Sequence, residues 1–223
     1  PASVRWDEAK AVEIEYNQGK NVVDAAKQAG VKHVVLSTLE DVETSTEGKF
    51  SAMHFSVKGR IEKYAKQAGI PVTFVRYAFY FQNFGTYFQP DKEGNCSMPM
   101  KDHVLDAVDT EDAGKVIAAI FSQGPSIWAG KDIGLASDSM PVQGYLDILN
   151  DIKKDGVARK YVAVPFEEMA KDPAQKDMAE MFKFYTDYDK QCVRDVEATK
   201  ELYPGMRNFR QFAEAAHAEG KLA

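Results

Sequence analysis

The stretch HFSVKGRIEKYAKQAGIPVTFVRYAFYFQNF, residues 54–84, decides the fold of this chain. Its first half carries apolar residues at helical spacing, and Gly69 follows where a left-handed residue commonly ends a helix. Residues 72–75 then form a short run of β-branched and aromatic residues, which is typical of a strand. Because side chains four positions apart lie one helical turn above each other, His54 and Lys58 are predicted to share one side of the helix. The stretch therefore predicts a helix that leads into a buried strand, with this pair as the first candidate functional residues.

The segment before this stretch has the same order of elements. Residues 6–29 carry apolar or small residues at helical spacing, and residues 33–37 (HVVLS) are nearly all apolar, like strands buried on both faces of a parallel sheet. Ser37 and Thr38 stand at the C-terminal end of this strand, where ligands bind in open α/β sheets. We predict that both neighbour a cofactor; the alternative is that their hydroxyls only satisfy the turn. The polar residues 40–48 are predicted to form a mobile loop over the site.

The loop YAFYFQNFGTYF, residues 77–88, contains too many aromatic residues for an ordinary solvent-facing loop. We expect it to pack as a wall of the site. The alternative is a hydrophobic cluster beneath a loop, with no role in binding.

The remaining segments are shorter and follow one another without a linker or an internal repeat. They are predicted as an irregular segment at 95–100, a strand at 107–109, a helix from an N-cap at Thr110 through 121, strands at 132–136 and 159–164, and helices at 142–152, 166–171, 174–188, 192–202 and 209–220. The pattern changes near residue 124, so we place a soft boundary near residue 123.

Composition limits the classes of partner and compartment. The 223 residues suffice for one substantial core or for one domain with a small lobe. The net charge of −6 argues against a direct grip on nucleic acid. Cys96 and Cys192 are far apart, so we expect free thiols and a reducing compartment, with a cytoplasmic and also nuclear location as options. No membrane span and no metal site are predicted, because long apolar tracts and metal-ligand spacings do not occur.

Four segments together resemble the NmrA-like family, an atypical branch of the short-chain dehydrogenases/reductases whose members bind NAD(P) on a Rossmann sheet. They are residues 20–42, 54–84, 108–121 with 130–138, and 178–204. The resemblance implies a Rossmann-like parallel sheet flanked by helices in residues 1–123, and a smaller α+β substrate lobe in residues 124–223 that does not fold independently. It also implies that the family's glycine-rich turn and about four strands, roughly 80 residues, precede Pro1.

The same resemblance implies which residues meet the dinucleotide. Lys58 is placed on the nicotinamide ribose, Phe79 and Tyr80 form a wall at the nicotinamide end, and Asn83 is a polar contact there. The predicted cofactor is NADP or NAD, and the choice between them stays open. The predicted cofactor-binding residues are Ser37, Thr38, Lys58, Phe79, Tyr80 and Asn83.

The resemblance also identifies catalytic candidates. Typical short-chain dehydrogenases use Tyr-x-x-x-Lys, in which the lysine lowers the pKa of the tyrosine. Here the matching turn is His54-Phe-Ser-Val-Lys58, so the predicted catalytic residues are Lys58 and His54, and the loss of the phenol puts hydride-transfer chemistry in doubt. The alternatives are a surface lysine and a hydrogen-bonded, half-buried histidine. A literal Tyr16-x-x-x-Lys20 is a decoy, because the strand that ends at Ser37 follows it in the chain.

The sequence leaves two main candidate functions and one weaker alternative. The first is an NAD(P)-binding protein that senses the redox cofactor and regulates a protein partner. The second is an NAD(P)H-dependent reductase of the isoflavone-reductase or quinone-reductase type, and a weaker third class is an inert fragment. The predicted partners are a dinucleotide, a regulatory protein and, as an open alternative, a second copy of the chain in a homodimer.

Overall fold

The computed structural model describes residues 8–188 and 194–222, so Trp6 and Cys192 lie outside the described residues. The chain divides into two compact units. The first comprises the chain up to Val75 together with Gln123–Asp132, and the second comprises Arg76–Ser122 and the chain from Ile133 onward. Both units thus contain residues from each side of the boundary predicted near residue 123, and the assignment of residues 1–123 and 124–223 as cofactor domain and substrate lobe stays a prediction.

Helices alternate with short strands along the described residues. The helices are α1 (Glu8–Gln28), α2 (Val42–Ser45), α3 (Met53–Ala68), α4 (Thr110–Gln123), α5 (Pro125–Trp128), α6 (Val142–Lys153), α7 (Phe166–Met169), α8 (Lys176–Asp187), α9 (Val196–Leu202) and α10 (Phe209–Ala218). The strands are β1 (Val34–Thr38), β2 (Val72–Tyr77), β3 (Phe79–Tyr80), β4 (Asn95–Met98), β5 (Val104–Val108), β6 (Asp132–Leu135), β7 (Asp138–Pro141) and β8 (Lys160–Ala163). A 3-10 helix, Phe81–Gly85, follows β3.

The strands form three small sheets, ordered β1-β2-β6, β3-β5-β7 and β4-β8. β3 pairs with β5 and β4 with β8 in parallel, whereas β7 runs antiparallel to β5. Parallel pairs need crossover connections, and the one between β4 and β8 contains α4, α5 and α6. The predicted α/β class with parallel strands flanked by helices is therefore confirmed.

In the first unit, α1 and α3 pack against the sheet through a small apolar core. Val23 of α1, Ala65 of α3, and Val72 and Phe74 of β2 are buried together. Fully burying a valine or phenylalanine side chain stabilises a fold by about 1.5–3 kcal/mol. Gly69 ends α3 in the left-handed region with φ of 70°, as predicted, so the chain turns directly from the helix into β2.

Gln123–Asp132 completes the first unit by hydrogen bonding to β2. The Phe74 amide donates to the Lys131 carbonyl at 2.9 Å. The Thr73 hydroxyl donates to the Trp128 carbonyl at 2.8 Å. A segment about fifty residues later in the chain therefore supplies one neighbour of β2.

The second unit has an aromatic core. Phe81, Phe84, Tyr145 and Phe209 are all buried, and the ring centroids of Phe84, Tyr145 and Phe209 lie 4.9 Å from one another. The Tyr145 hydroxyl donates to the Leu105 carbonyl at 2.7 Å, which satisfies its buried polar end. The cluster alternative for residues 77–88 therefore holds for Phe81 and Phe84, which pack in this core.

Two local predictions are wrong. Residues 40–48 contain α2, whose N-terminus is capped because the Asp41 carboxylate accepts from the Thr44 amide at 3.2 Å. The predicted irregular segment 95–100 contains β4, which pairs residue by residue with β8. The four residues of β4, NCSM, alternate between polar and apolar, a strand signal that the prediction did not use, and the partner strand β8 lies far along the chain.

The start of α4 also differs from the prediction. Thr110 is the first residue of the helix and not its N-cap. The residue before it does the capping, since the Asp109 carboxylate accepts from the Glu111 amide at 3.0 Å. β7 and α5 had no counterpart in the sequence analysis.

Two searches of the described residues bear on function. No helix in that part of the chain is both long and apolar enough to cross a membrane. In the same residues, no group of three or more His, Cys, Asp or Glu side chains is arranged to hold a metal ion.

Candidate functional site

Lys58 lies on α3 against the C-terminal end of β1. The Thr38 hydroxyl, which is buried, donates to the Lys58 carbonyl at 3.1 Å. This bond fixes the helix backbone beside the strand end. Two of the predicted site residues are therefore brought together in the first unit, and the Thr38 hydroxyl has a structural partner.

The ammonium of Lys58 is held by an acidic residue of α1. Its Nζ forms a hydrogen-bonded ion pair with the Glu15 carboxylate. The two side chains are 32% and 39% exposed. An ammonium has three N–H donors, so Lys58 can keep Glu15 and still donate to a hydroxyl of a ligand.

A glycine next to Lys58 allows α3 to approach the preceding loop. A Cβ built on Gly59 would lie 2.6 Å from the backbone nitrogen of Asp41, which is closer than a real Cβ contact. Asp41 is the residue that caps α2. The sequence Lys58-Gly59 therefore places the lysine beside the point where the helix backbone approaches Asp41.

His54 lies one turn before Lys58 on α3 and is half-buried. Its ring makes an edge contact with Phe55, with centroids 4.7 Å apart. The helix that joins His54 and Lys58 is as predicted. Their predicted catalytic roles stay predictions.

Ser37 differs from its neighbour in exposure. Its side chain is exposed, whereas Thr38 is 1% exposed. Ser37 is thus the hydroxyl at this end of β1 that solvent can reach, and its contact with a cofactor stays a prediction.

The other three predicted cofactor residues belong to the second unit. Phe79 packs edge-on against Phe84, and Tyr80 is 42% exposed. Burial raises the pKa of the Tyr80 phenol, so it stays protonated at neutral pH. The backbone carbonyl of Asn83 accepts hydrogen bonds from three backbone amides of the loop that follows, at 2.8 to 3.2 Å. Asn83 therefore shapes that loop, and the binding roles of all three residues stay predictions.

Sequence reasoning missed Glu15. It lies 43 residues from Lys58 in the chain, so no local spacing links the two. The signal that was present is the pair of helical patterns in α1 and α3, which predicted two helices but not which of their faces meet.

The first unit presents hydrogen-bond donors of the kind that bind the hydroxyls of a sugar. The exposed Ser37 hydroxyl and the Lys58 ammonium, with donors beyond its bond to Glu15, suit the hydroxyls of a ribose. His54, one turn before Lys58 on the same helix, presents an imidazole, which is shorter than a phenol. The arrangement thus offers donors for hydroxyl groups, and no phenol for moving a proton stands one turn before Lys58.

The model of the NmrA-like family matches residues 6–214. This chain belongs to the NmrA-like family. It is 31% identical over 224 residues to the nitrogen metabolite repression protein nmr of Neurospora crassa, covering 87% of the chain and 45% of that protein. The chain spans about half the length of the curated relatives it matches.

Solved structures share the NmrA-like fold. Nmra, a negative transcriptional regulator solved in complex with NAD, superposes with a TM-score of 0.74 at 22% identity, covering 92% of this chain and 71% of that one. It has also been solved in complex with NADP. The NADPH-dependent quinone oxidoreductase of Escherichia coli, complexed with NADPH, has a TM-score of 0.66 at 20% identity and covers 90% of this chain and 71% of that one. At these identities the likeness establishes the fold.

Proposed function

We propose that this NmrA-like chain binds NADP or NAD and acts as a sensor of that cofactor that regulates a protein partner. One observation carries the choice of a sensor over an enzyme. His54 occupies the position one helical turn before Lys58, where a reductase of the Tyr-x-x-x-Lys type needs a phenol. The regulator Nmra, solved with NAD, has the same fold over most of this chain.

In the proposal, Lys58 donates to the nicotinamide ribose and Glu15 holds the ammonium in place. Ser37 and Thr38 stand at the strand end beside it, and Phe79, Tyr80 and Asn83 contact the nicotinamide end. Glu15 lets Lys58 keep one fixed bond while it gains another, so less side-chain freedom is lost when the cofactor binds.

The argument against turnover concerns a proton. When bound, a reduced cofactor supplies a hydride, and a carbonyl that receives it becomes an alkoxide that needs a donor within hydrogen-bond reach. His54 is the titratable residue on that turn of α3, and its reach differs from that of a phenol. Binding without chemistry therefore suits these residues better than reduction does.

The charge of the chain supports a protein partner over nucleic acid. The net charge of −6 disfavours direct contact with the phosphates of nucleic acid. A regulator of this composition acts on gene expression through another protein.

The second candidate is an NAD(P)H-dependent reductase. It is supported by Lys58, which is in place on α3, and by the fold shared with the E. coli quinone oxidoreductase. The two candidates make the same prediction for cofactor binding and opposite predictions for turnover.

The deciding experiment uses the polypeptide at its native length. Calorimetric titration with NADP⁺ and NAD⁺ should give saturable binding. NADPH oxidation, followed by absorbance with simple quinones, aldehydes and ketones, should stay well below about 1 s⁻¹, the low end of ordinary enzyme rates. Turnover at or above that rate with any of these substrates would favour the reductase, and absence of dinucleotide binding would refute both candidates.

A histidine variant sharpens the outcome if some turnover is found. His54→Ala should abolish that turnover and leave cofactor affinity nearly unchanged if His54 is a working acid. The matched control is Lys63→Ala, which alters an exposed residue of the same helix. Turnover that survives His54→Ala would show that the proton comes from elsewhere.

A further inference from the structure

The second unit contains a cavity of about 210 Å³. Its apolar wall includes Phe79, Met100, Val104 and Leu105. Pockets for drug-sized ligands usually hold about 300–1,000 Å³, so this cavity suits a smaller body such as a single ring. We call it the Asp106 cavity, after the acidic residue in its lining.

The polar end of the Asp106 cavity carries one carboxylate and one guanidinium, and His103 and Tyr185 also line the cavity. Asp106 lies on β5, and its carboxylate accepts a hydrogen bond from the Ser139 hydroxyl at 2.6 Å. Arg194, 9% exposed, also lines the cavity, and its Nε donates to the Tyr77 carbonyl at 3.2 Å. Burial raises the pKa of Asp106, while the hydrogen bond from Ser139 and the charge of Arg194 oppose that rise. The two side chains thus act on each other electrostatically in one partly enclosed space.

A ligand with a net charge is attracted by one of these two side chains and repelled by the other. A carboxylate accepts from Arg194 but is repelled by Asp106, and an ammonium donates to Asp106 but is repelled by Arg194. Like charges brought together in an interface are strongly unfavourable. A planar carboxamide avoids both conflicts, because its N–H donates to the carboxylate and its carbonyl accepts from the guanidinium.

We propose that the Asp106 cavity binds a small neutral ligand with an apolar, flat body and a planar carboxamide directed at Asp106 and Arg194. Such a group can come from a separate small amide or from the nicotinamide ring of a dinucleotide. The inference rests on residues of the second unit alone. It therefore stands or falls independently of the sensor function.

The test compares three ligands of nearly equal size on the native-length protein without dinucleotide. Benzamide should bind saturably, with a Kd of about 1 mM as expected for so small a ligand. Benzoate and benzylamine should bind at least about tenfold more weakly. Equal affinity of benzamide and benzoate, or no saturable binding of benzamide, would overturn the proposal.

Asp106→Asn gives a result that unfolding cannot mimic. Asparagine keeps an acceptor for Ser139 but removes the negative charge, so the variant should gain affinity for benzoate by about tenfold. The control is Asp102→Asn, an exposed residue outside the cavity lining, which should leave the preference for benzamide unchanged. A benzoate affinity that does not rise in Asp106→Asn contradicts the assigned role of the carboxylate.

Filling the cavity gives a second, independent check. Val104 is 55% exposed at the cavity, so Val104→Trp can enter the space from its rim without disturbing buried packing. This variant should keep the wild-type melting temperature and lose benzamide binding. Unchanged binding would show that benzamide sits elsewhere and would overturn the proposal.

The source of the carboxamide is resolved by repeating the benzamide titration with saturating NADP⁺. Competition would assign the Asp106 cavity to the nicotinamide ring. Undiminished benzamide binding would assign it to a separate ligand. In either case the carboxamide chemistry is the same.

Discussion

Lys58 in the first unit and Arg207 in the second are both cations held by carboxylates, in different surroundings. Lys58 pairs with Glu15, and both side chains are about one third exposed. Arg207 pairs with Asp109 at 2.5 Å and with Asp112 at 3.3 Å, and these two carboxylates are 0% and 3% exposed. Water can reach both partners of the first pair, whereas in the second it reaches Arg207 but not the two carboxylates. The comparison indicates that the Lys58 pair is available to a ligand and that the Arg207 cluster maintains the fold.

The largest expected effect is on folding. Arg207→Ala leaves Asp109 buried without its cation and Asp112 with Lys115 alone, and it should lower the free energy of unfolding by about 3–5 kcal/mol. Urea denaturation measures the change. The matched control is Arg210→Ala, because Arg210 and its partner Asp151 are 45% and 57% exposed and this pair should contribute less than about 1 kcal/mol. Equal losses of stability in the two variants would show that burial of the carboxylates does not make the Arg207 pairs more important for folding than an exposed ion pair.

The next effect is on binding. Lys58→Ala should weaken dinucleotide binding by about 1–3 kcal/mol, the range for losing a charged hydrogen bond, and should change the free energy of unfolding by less than about 1 kcal/mol. Calorimetric titration and urea denaturation of the same sample separate the two quantities. A variant that unfolds easily but binds normally would assign Lys58 to the fold, as Arg207 is assigned.

Acid should act on the Arg207 cluster through Asp112. Burial raises the pKa of Asp112, but hydrogen bonds from the Arg207 amide and Lys115, with the charges of both residues, outweigh burial and set the pKa below its usual value. A carboxylate with a lowered folded-state pKa stabilises the fold above its unfolded pKa, and this stability is lost as pH falls below about 4. Between pH 5 and 3, Asp112→Asn should therefore lose stability less steeply than wild type, by up to about 1.4 kcal/mol per pH unit. Parallel curves would show that Asp112 does not carry this dependence.

The smallest effect concerns Glu15. Glu15→Gln should cost about 0.2–1 kcal/mol of folding stability, as for an exposed ion pair, and should weaken cofactor binding by less than Lys58→Ala does. Glu13→Gln, at an exposed position of the same helix, is the control. If Glu15→Gln weakens binding as much as Lys58→Ala, the carboxylate itself meets the ligand and the positioning role is wrong.

Local signals in the sequence were sufficient to predict α3 and β2. The helical spacing of apolar residues, the left-handed Gly69 and the β-branched run after it all act within a few residues, so each could be recognised from the sequence. The aromatic richness of residues 77–88 indicated packing correctly for Phe81 and Phe84. Patterns of this kind report which faces are apolar.

Such local signals could not predict which residues or strands far apart in the sequence pair with each other. β4 alternates between polar and apolar residues, which is a local strand signal, but nothing in its four residues indicates that β8 is its partner. Arg207 and Asp112 are 95 positions apart, and no spacing rule connects them. The resemblance to a family placed Lys58 in the candidate site, but its partner Glu15 became visible only when α1 and α3 were packed together.

Gln123–Asp132 has a consequence for how the gene can be rearranged. The first unit is encoded by two separate stretches, and the second of them provides hydrogen-bond partners for Thr73 and Phe74 of β2. A coding sequence cut after Val75 would keep Thr73 and Phe74 without those partners and leave an open strand edge, which favours aggregation. Chimeras of this family that keep the first unit intact therefore need two crossovers in addition to the one after Val75, one on each side of this ten-residue segment.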